Sequence, residues 1–220
     1  MTAATRSYVP ALSFDALTPL YDALIALTMR ERAFKTRLIE QARLTPGQRV
    51  LDLGCGTGTL AVMLAAAEPG ASVVGLDVDP RILEVARAKA ARAGVAVEWT
   101  LGSAADLPFP SSSFDRVTSS LMLHHLTTPE KQAALASVRR VLRSDGELHV
   151  ADFGRPHTVF TSIVASVFRL FDGPERTAAN LDGRLPSLIA DAGFVEVAET
   201  EHWTTPFGTL AFVRARAAEM

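Results

Sequence analysis

The spacing of hydrophobic and polar positions changes several times along the 220-residue chain, and each change marks an element. Over residues 14–44, Leu17, Leu20, Leu24 and Leu27 recur at three- and four-residue steps, which predicts an amphipathic helix. Pro19 falls near a helix start, and Pro46-Gly47 closes the segment. Short apolar runs at 50–53, 72–77, 95–101, 114–119 and 147–153 then read as strands. Helical stretches at 60–67, 80–93 and 129–142 separate them, the second opened by Pro80 and closed by Gly94. Strands alternating with helices of this length predict a parallel sheet with right-handed crossovers. The alternation breaks after a helix at 185–192 capped by Gly193. Runs at 195–203 and 210–216 are divided only by Pro206-Phe207-Gly208, so they should pair as an antiparallel hairpin.

Composition narrows the class. A chain that is 48% hydrophobic and 21% charged can bury a substantial core, which excludes a disordered polymer. A net charge of -2 provides no general field for duplex nucleic acid, and no nucleic-acid partner is expected. One cysteine excludes an intramolecular disulfide framework and a cysteine-built zinc site. The apolar run at 158–171 is too short to span a bilayer and carries Arg169, and the N-terminus lacks a signal-peptide pattern. A cytoplasmic protein is expected. Lysine occurs only at Lys35, Lys89 and Lys131, and the excess of arginine reads as base composition without functional content.

The chemistry concentrates in Asp52-Leu53-Gly54-Cys55-Gly56-Thr57-Gly58. Glycines let a backbone turn tightly and approach a ligand where a Cβ would clash. A helix opens directly afterwards, so its unpaired N–H groups face the same crevice. Asp77 ends the next strand, where a carboxylate can accept both hydroxyls of a ribose. A nicotinamide dinucleotide site would need its third glycine at position 59, which is Thr59. Asp52 would also sit poorly beside a pyrophosphate and better beside a cationic or amino-bearing ligand. An NAD(P)-dependent oxidoreductase is thus the disfavoured alternative, alongside a noncatalytic protein that keeps the loop.

With these residues, the chain resembles the class I S-adenosylmethionine-dependent methyltransferases of the ubiquinone/menaquinone-biosynthesis (methyltransferase type 11) group. The resemblance rests on residues 50–58, Gly75-Leu76-Asp77, Leu107-Pro108-Phe109 and Phe114-Asp115-Arg116-Val117. Leu123-His124-His125-Leu126 and residues 142–148 complete it. It implies a doubly wound α/β fold, a mostly parallel seven-stranded sheet of order 3-2-1-4-5-7-6 with the last strand antiparallel. It further implies one methyltransferase domain over 1–220: an N-terminal helical lid (1–45), a cofactor-binding core (46–153), an insertion over the acceptor pocket (154–182), and a C-terminal helix and hairpin (183–220).

Carried over by position, the resemblance assigns Asp52 and Gly54 to the methionine part of S-adenosylmethionine, with Cys55 and Gly56 lining the loop. Asp77 takes the ribose, Val78 packs on adenine, Ser103 and Ala104 flank the base, and Ser119 lies beneath the sulfonium. Ser103 departs from the aspartate usual there. Tyr21 would point toward the methionine end. Methyl transfer needs alignment and removal of any acceptor proton, and no metal is expected. His124 and Asp152 are the candidate catalytic residues. His157, Phe168 and Phe171 are the candidate substrate contacts for a small, lipophilic acceptor. The helical segment 159–171 is more broadly apolar than one buried face needs, which suits an acceptor pocket or a dimer surface. Its lack of lysine argues against membrane contact. Monomer and homodimer both remain open, as does the accepting atom (C, O, N or S).

Overall fold

The computed structural model describes residues 31–171 and 174–218; the side chains of 167–171 and 174 lie outside the description. Helix α1 (Glu31–Ala42) precedes β1 (Arg49–Leu53), α2 (Thr59–Ala67), β2 (Ser72–Asp77), α3 (Pro80–Ala93) and β3 (Glu98–Leu101). Next come β4 (Phe114–Ser120), a 3-10 turn (Leu123–His125), α4 (Thr128–Val141) and β5 (Leu142–Phe153). Then follow α5 (Val159–Phe171), α6 (Pro174–Leu181), α7 (Leu185–Asp191), β6 (Phe194–Thr205) and β7 (Gly208–Ala217). The strands form one sheet in the order β3-β2-β1-β4-β5-β7-β6, the order that the family resemblance implies. β7 runs antiparallel to both its neighbours, and the other pairings are parallel.

Alternation along the strands builds a core on each face. Leu51 and Leu53 of β1 join Val74 and Leu76 of β2 and the α4, α6 and α7 residues Leu135, Ala179 and Ile189. Val50 and Val73 point the other way, onto Phe34 and Leu38 of α1, Leu60 and Leu64 of α2, and Ala165 of α5. The central strands are covered on both sides, which accounts for their continuous apolar runs. The strand order reverses between β1 and β4, and the loops leaving their carboxyl ends bound the crevice where open α/β sheets take ligands.

The differences from the sequence reading have local causes. β3 starts at Glu98 because Val95 is still closing α3, its N–H donating to Ala90 O at 3.2 Å. β5 starts early, at Leu142, through an irregular stretch in which Asp145 has φ 61°. Of the helix expected over 14–44, the described part is α1, which ends where Arg43 turns to φ 48°. Tyr21 and the remainder of the expected lid lie outside the described residues. Helix α6 was not anticipated.

Candidate active site

The glycine loop leaves β1 and is pinned on three sides. Cys55 N donates to Leu76 O at 2.9 Å, and Gly56 N donates to the Asp77 carboxylate at 2.9 Å. From α3, the Lys89 ammonium donates to Thr57 Oγ1 and Thr59 Oγ1 at 2.8 and 2.7 Å. Gly54 (φ 66°) is glycine because a Cβ there would stand 2.3 Å from Met122 Cγ, so the loop after β4 lies directly against it. Gly56 (φ 52°) is different: a Cβ there would meet nothing within 4 Å, so its open side faces the crevice. The Cys55 thiol is turned toward β2, its Sγ 3.2 Å from where a Cβ on Gly75 would be. Burial pushes its pKa well above the usual thiol range, so the thiolate is not formed near neutrality.

Asp52 is 1% exposed. Its Oδ1 accepts from Thr118 Oγ1 at 3.4 Å, and its Oδ2 is buried without a partner. Burial raises its pKa to about 7, against the pull of the nearby Lys35 ammonium, the Ala61 N–H and the Thr118 hydroxyl. A buried carboxylate oxygen with nothing bound to it is costly. It is suited to a ligand that brings its own cationic donor.

Asp77 and its surroundings form the far wall. One carboxylate oxygen accepts from Gly56 N and the other from Asp79 N at 3.1 Å. Gly102 N donates to Asp77 O at 2.9 Å, which draws the loop after β3, with Ser103 and Ala104, against the end of β2. Val78 is 49% exposed there and offers a flat apolar surface. Ser103 Oγ accepts from Ala105 N at 3.3 Å. Ser119 lies within β4, one residue before its end, and its hydroxyl donates to Leu53 O at 3.2 Å, tying β4 to the root of the glycine loop.

On the other side of the loop, His124 and Asp152 come together from β4's turn and the end of β5. His124 Nδ1 and Asp152 Oδ1 are 2.7 Å apart, and both residues are buried. Asp152 also accepts from His124 N at 3.3 Å and Phe153 N at 2.7 Å. Burial alone would raise the Asp152 pKa, but the His124 ring and these donors outweigh it and hold it below the carboxylate range. His125 packs its ring 3.9 Å from that of His124 but is turned to solvent, so only one of the adjacent pair is buried. His157, expected at the acceptor, meets Glu199 and His202 on β6. Phe168 and Phe171 lie in α5, with side chains outside the description. The first turns of α5 leave Val159, Phe160 and Ile163 exposed. An open, mostly polar groove of about 600 Å³ runs along α5, lined by Arg155, Ser162, Ser166 and Asp182 together with Pro156, Ala165 and Leu181.

Sequence reasoning missed Met122, Lys89 and Lys35. The available signal was lysine itself. Lys35 and Lys131 are buried and Lys89 half-buried, each with fixed partners, so the lysines of this arginine-rich chain occupy packed sites.

A doubly wound sheet of this order, with a glycine loop and an acidic residue ending β2, defines a class I methyltransferase. Residues 50–146 match the family described as Methyltransferase domain. The chain is 35% identical over 188 residues to an uncharacterized methyltransferase of Synechocystis sp., covering 85% of this chain and 84% of that protein. It is 38% identical over 145 residues to a demethylmenaquinone methyltransferase of Thermus thermophilus, covering 65% of each. It is 33% identical over 151 residues to a 2-phytyl-1,4-naphtoquinone methyltransferase of Synechococcus elongatus, covering 66% of this chain and 64% of that one. The match thus spans just under two thirds of the length of the latter two relatives. The fold is shared with YcgJ of Bacillus subtilis, at TM-score 0.70, 22% identity and coverage of 84% of this chain and 98% of that one. The chain belongs to the S-adenosylmethionine-dependent methyltransferases. It is an enzyme of that class, with S-adenosylmethionine as its cofactor. The residues present fit that cofactor: the partnerless Asp52 oxygen suits its ammonium, and the open side of Gly56 admits its chain. Among the described residues no helix is long and apolar enough to cross a membrane.

Proposed function

We propose that this enzyme methylates a quinone-type ring on a lipophilic small molecule, with His124 as the general base and Asp152 as its positioning partner. The observation that carries this reading is the buried His124–Asp152 pair, two residues beyond the Met122 side chain that rests on Gly54. An ionised carboxylate only accepts, so Nδ1 of His124 carries a hydrogen, and it is the neutral form of the ring, with its lone pair on Nε2, that would serve as the base. That leaves one nitrogen held and one able to take a proton from an acidic ring hydroxyl or ring carbon.

In the same reading Asp52 holds the ammonium of the cofactor, Gly54, Cys55 and Gly56 its chain, and Asp77 its ribose. Val78, Ser103 and Ala104 enclose the base, with Ser119 fixing the floor. When bound, S-adenosylmethionine supplies a methyl group on a positively charged sulfur, which leaves neutral after in-line transfer. The names of the Thermus and Synechococcus relatives support a quinone-type acceptor. The exposed Val159, Phe160 and Ile163 at the start of α5 support an acceptor with an apolar tail. The assignment of 1–45 and 154–182 as covering elements, of Tyr21, Phe168 and Phe171 as contacts, and of a cytoplasmic location belongs to this proposal.

The test is turnover of a demethylated, reduced naphthoquinone with labelled cofactor, products being identified by mass spectrometry. His124→Asn should lower kcat by about 10²–10⁴ with cofactor affinity unchanged. Full turnover by a folded His124→Asn variant would remove the base, and methylation of amines alone would remove the quinone.

A further inference from the structure

We infer that His157, Glu199 and His202 form a site for one divalent transition-metal ion, of which Zn²⁺ is the best match. Among the described residues this is the group of three His, Cys, Asp or Glu side chains whose ligand atoms all lie within 4.8 Å of one another. His157 Nε2 and His202 Nδ1 stand 3.8 and 3.7 Å from Glu199 Oε1. Those separations are too long for hydrogen bonds, so the three groups converge without satisfying one another. Ligands bound to zinc at 2.0–2.1 Å in a tetrahedron are about 3.4 Å apart, so the donor atoms already stand near ligand spacing, and the exposed rings are free to rotate to complete the site. Two imidazoles and one carboxylate, with a fourth position open to water, are a recurrent donor set for zinc.

The backbone has been bent to make this convergence. Residues three apart on a regular strand point to opposite faces. Here Glu199 faces Val213 and His202 faces Ala211, two residues apart on β7, because an irregularity between Glu199 and Glu201 absorbs an extra residue on β6. Bulges of this kind re-aim side chains and concentrate beside functional sites. His157 is held from the other side. Its N–H and that of Thr158 donate to Thr161 Oγ1 at 3.2 and 3.0 Å, which fixes the start of α5. The His157 and His202 rings stack at 3.9 Å with 13° between their planes, and because a ring nitrogen's lone pair lies in the ring plane, one of the two rings must turn out of the stack to ligate. An ion at this point joins the first turn of α5 to the edge strand β6, clamping the segment proposed to cover the acceptor.

The experiment uses the full chain, purified free of metal, titrated with ZnCl₂ and separately with CoCl₂. One ion should bind per chain, Co²⁺ should develop the visible absorption of a tetrahedral site, and amide exchange should slow at residues 157–166. His202→Ala and Glu199→Gln should each weaken binding by at least about tenfold, since even losing a group that only orients a metal ligand costs that much. Absence of stoichiometric binding, an octahedral cobalt spectrum, or equal affinity in His202→Ala would overturn the site. Because the readouts are metal affinity and amide exchange, they stay independent of whether the quinone reading holds.

Discussion

Asp52 is a carboxylic acid in a position that stability alone would give to an apolar residue. Its pKa of about 7 lies above the ordinary 3.8, because burial disfavours the charge. A carboxyl raised on folding favours the folded state while protonated, and that advantage disappears as pH rises from about 4 through 7. A shift of three pKa units would correspond to about 4 kcal/mol as an upper figure. The stability of Asp52→Asn relative to the wild type in urea unfolding should therefore rise by about 1–3 kcal/mol between pH 5 and pH 8. A stability difference that does not grow with pH would mean Asp52 does not titrate in this range. Gly56→Ala tests the opposite wall. It should fold with a loss of about 1–2 kcal/mol from its left-handed backbone, yet bind S-adenosylhomocysteine much more weakly by calorimetry, since the new methyl occupies the open side of the loop. Undiminished affinity would put the cofactor elsewhere.

At the scale of elements, what was legible depended on how local the cause was. The glycine loop, Asp77 and the succession of strands along the chain could be read because turn chemistry and hydrophobic period are short-range signals, whereas the order of those strands in the sheet came only from the family resemblance. The pairing of His124 with Asp152 was only half legible: both were candidates, but they stand 28 residues apart and meet only because β4 and β5 are neighbours. The tether from α3 to the glycine loop was not legible, since a lysine in mid-helix ordinarily faces water. Lys89 sets the position of Thr57 and Thr59, so Lys89→Met should loosen the loop before it unfolds the protein. The expected result is roughly a 3–10-fold loss of cofactor affinity with about 1–2 kcal/mol of stability, in line with charge-assisted hydrogen bonds. A stability loss with no change in affinity would make the tether purely structural. The neighbours of His157 were not legible for a similar reason: Glu199 and His202 are brought to it by an irregularity in β6 that no alternation pattern announces.

For the whole molecule, the loops at one edge of the sheet hold polar groups that the core could not tolerate. Folding and cofactor binding should then be linked through Asp52. A ligand that binds only the folded state at a hundred times its Kd stabilises it by about 2.7 kcal/mol. For a chain of this size that raises Tm by about 5–10 °C. S-adenosylhomocysteine should do so at pH 8, where the buried carboxylate is charged and receives the ligand's ammonium. At pH 5.5 the carboxyl must first lose its proton, which subtracts about 2 kcal/mol given a pKa near 7. The same ligand concentration should then raise Tm by only a few degrees. Scanning fluorimetry at both pH values, on wild type and Asp52→Asn, separates this linkage from general effects of pH. The variant should show a small shift that is equal at the two values. A wild-type shift as large at pH 5.5 as at pH 8 would mean that the ammonium is held by another group.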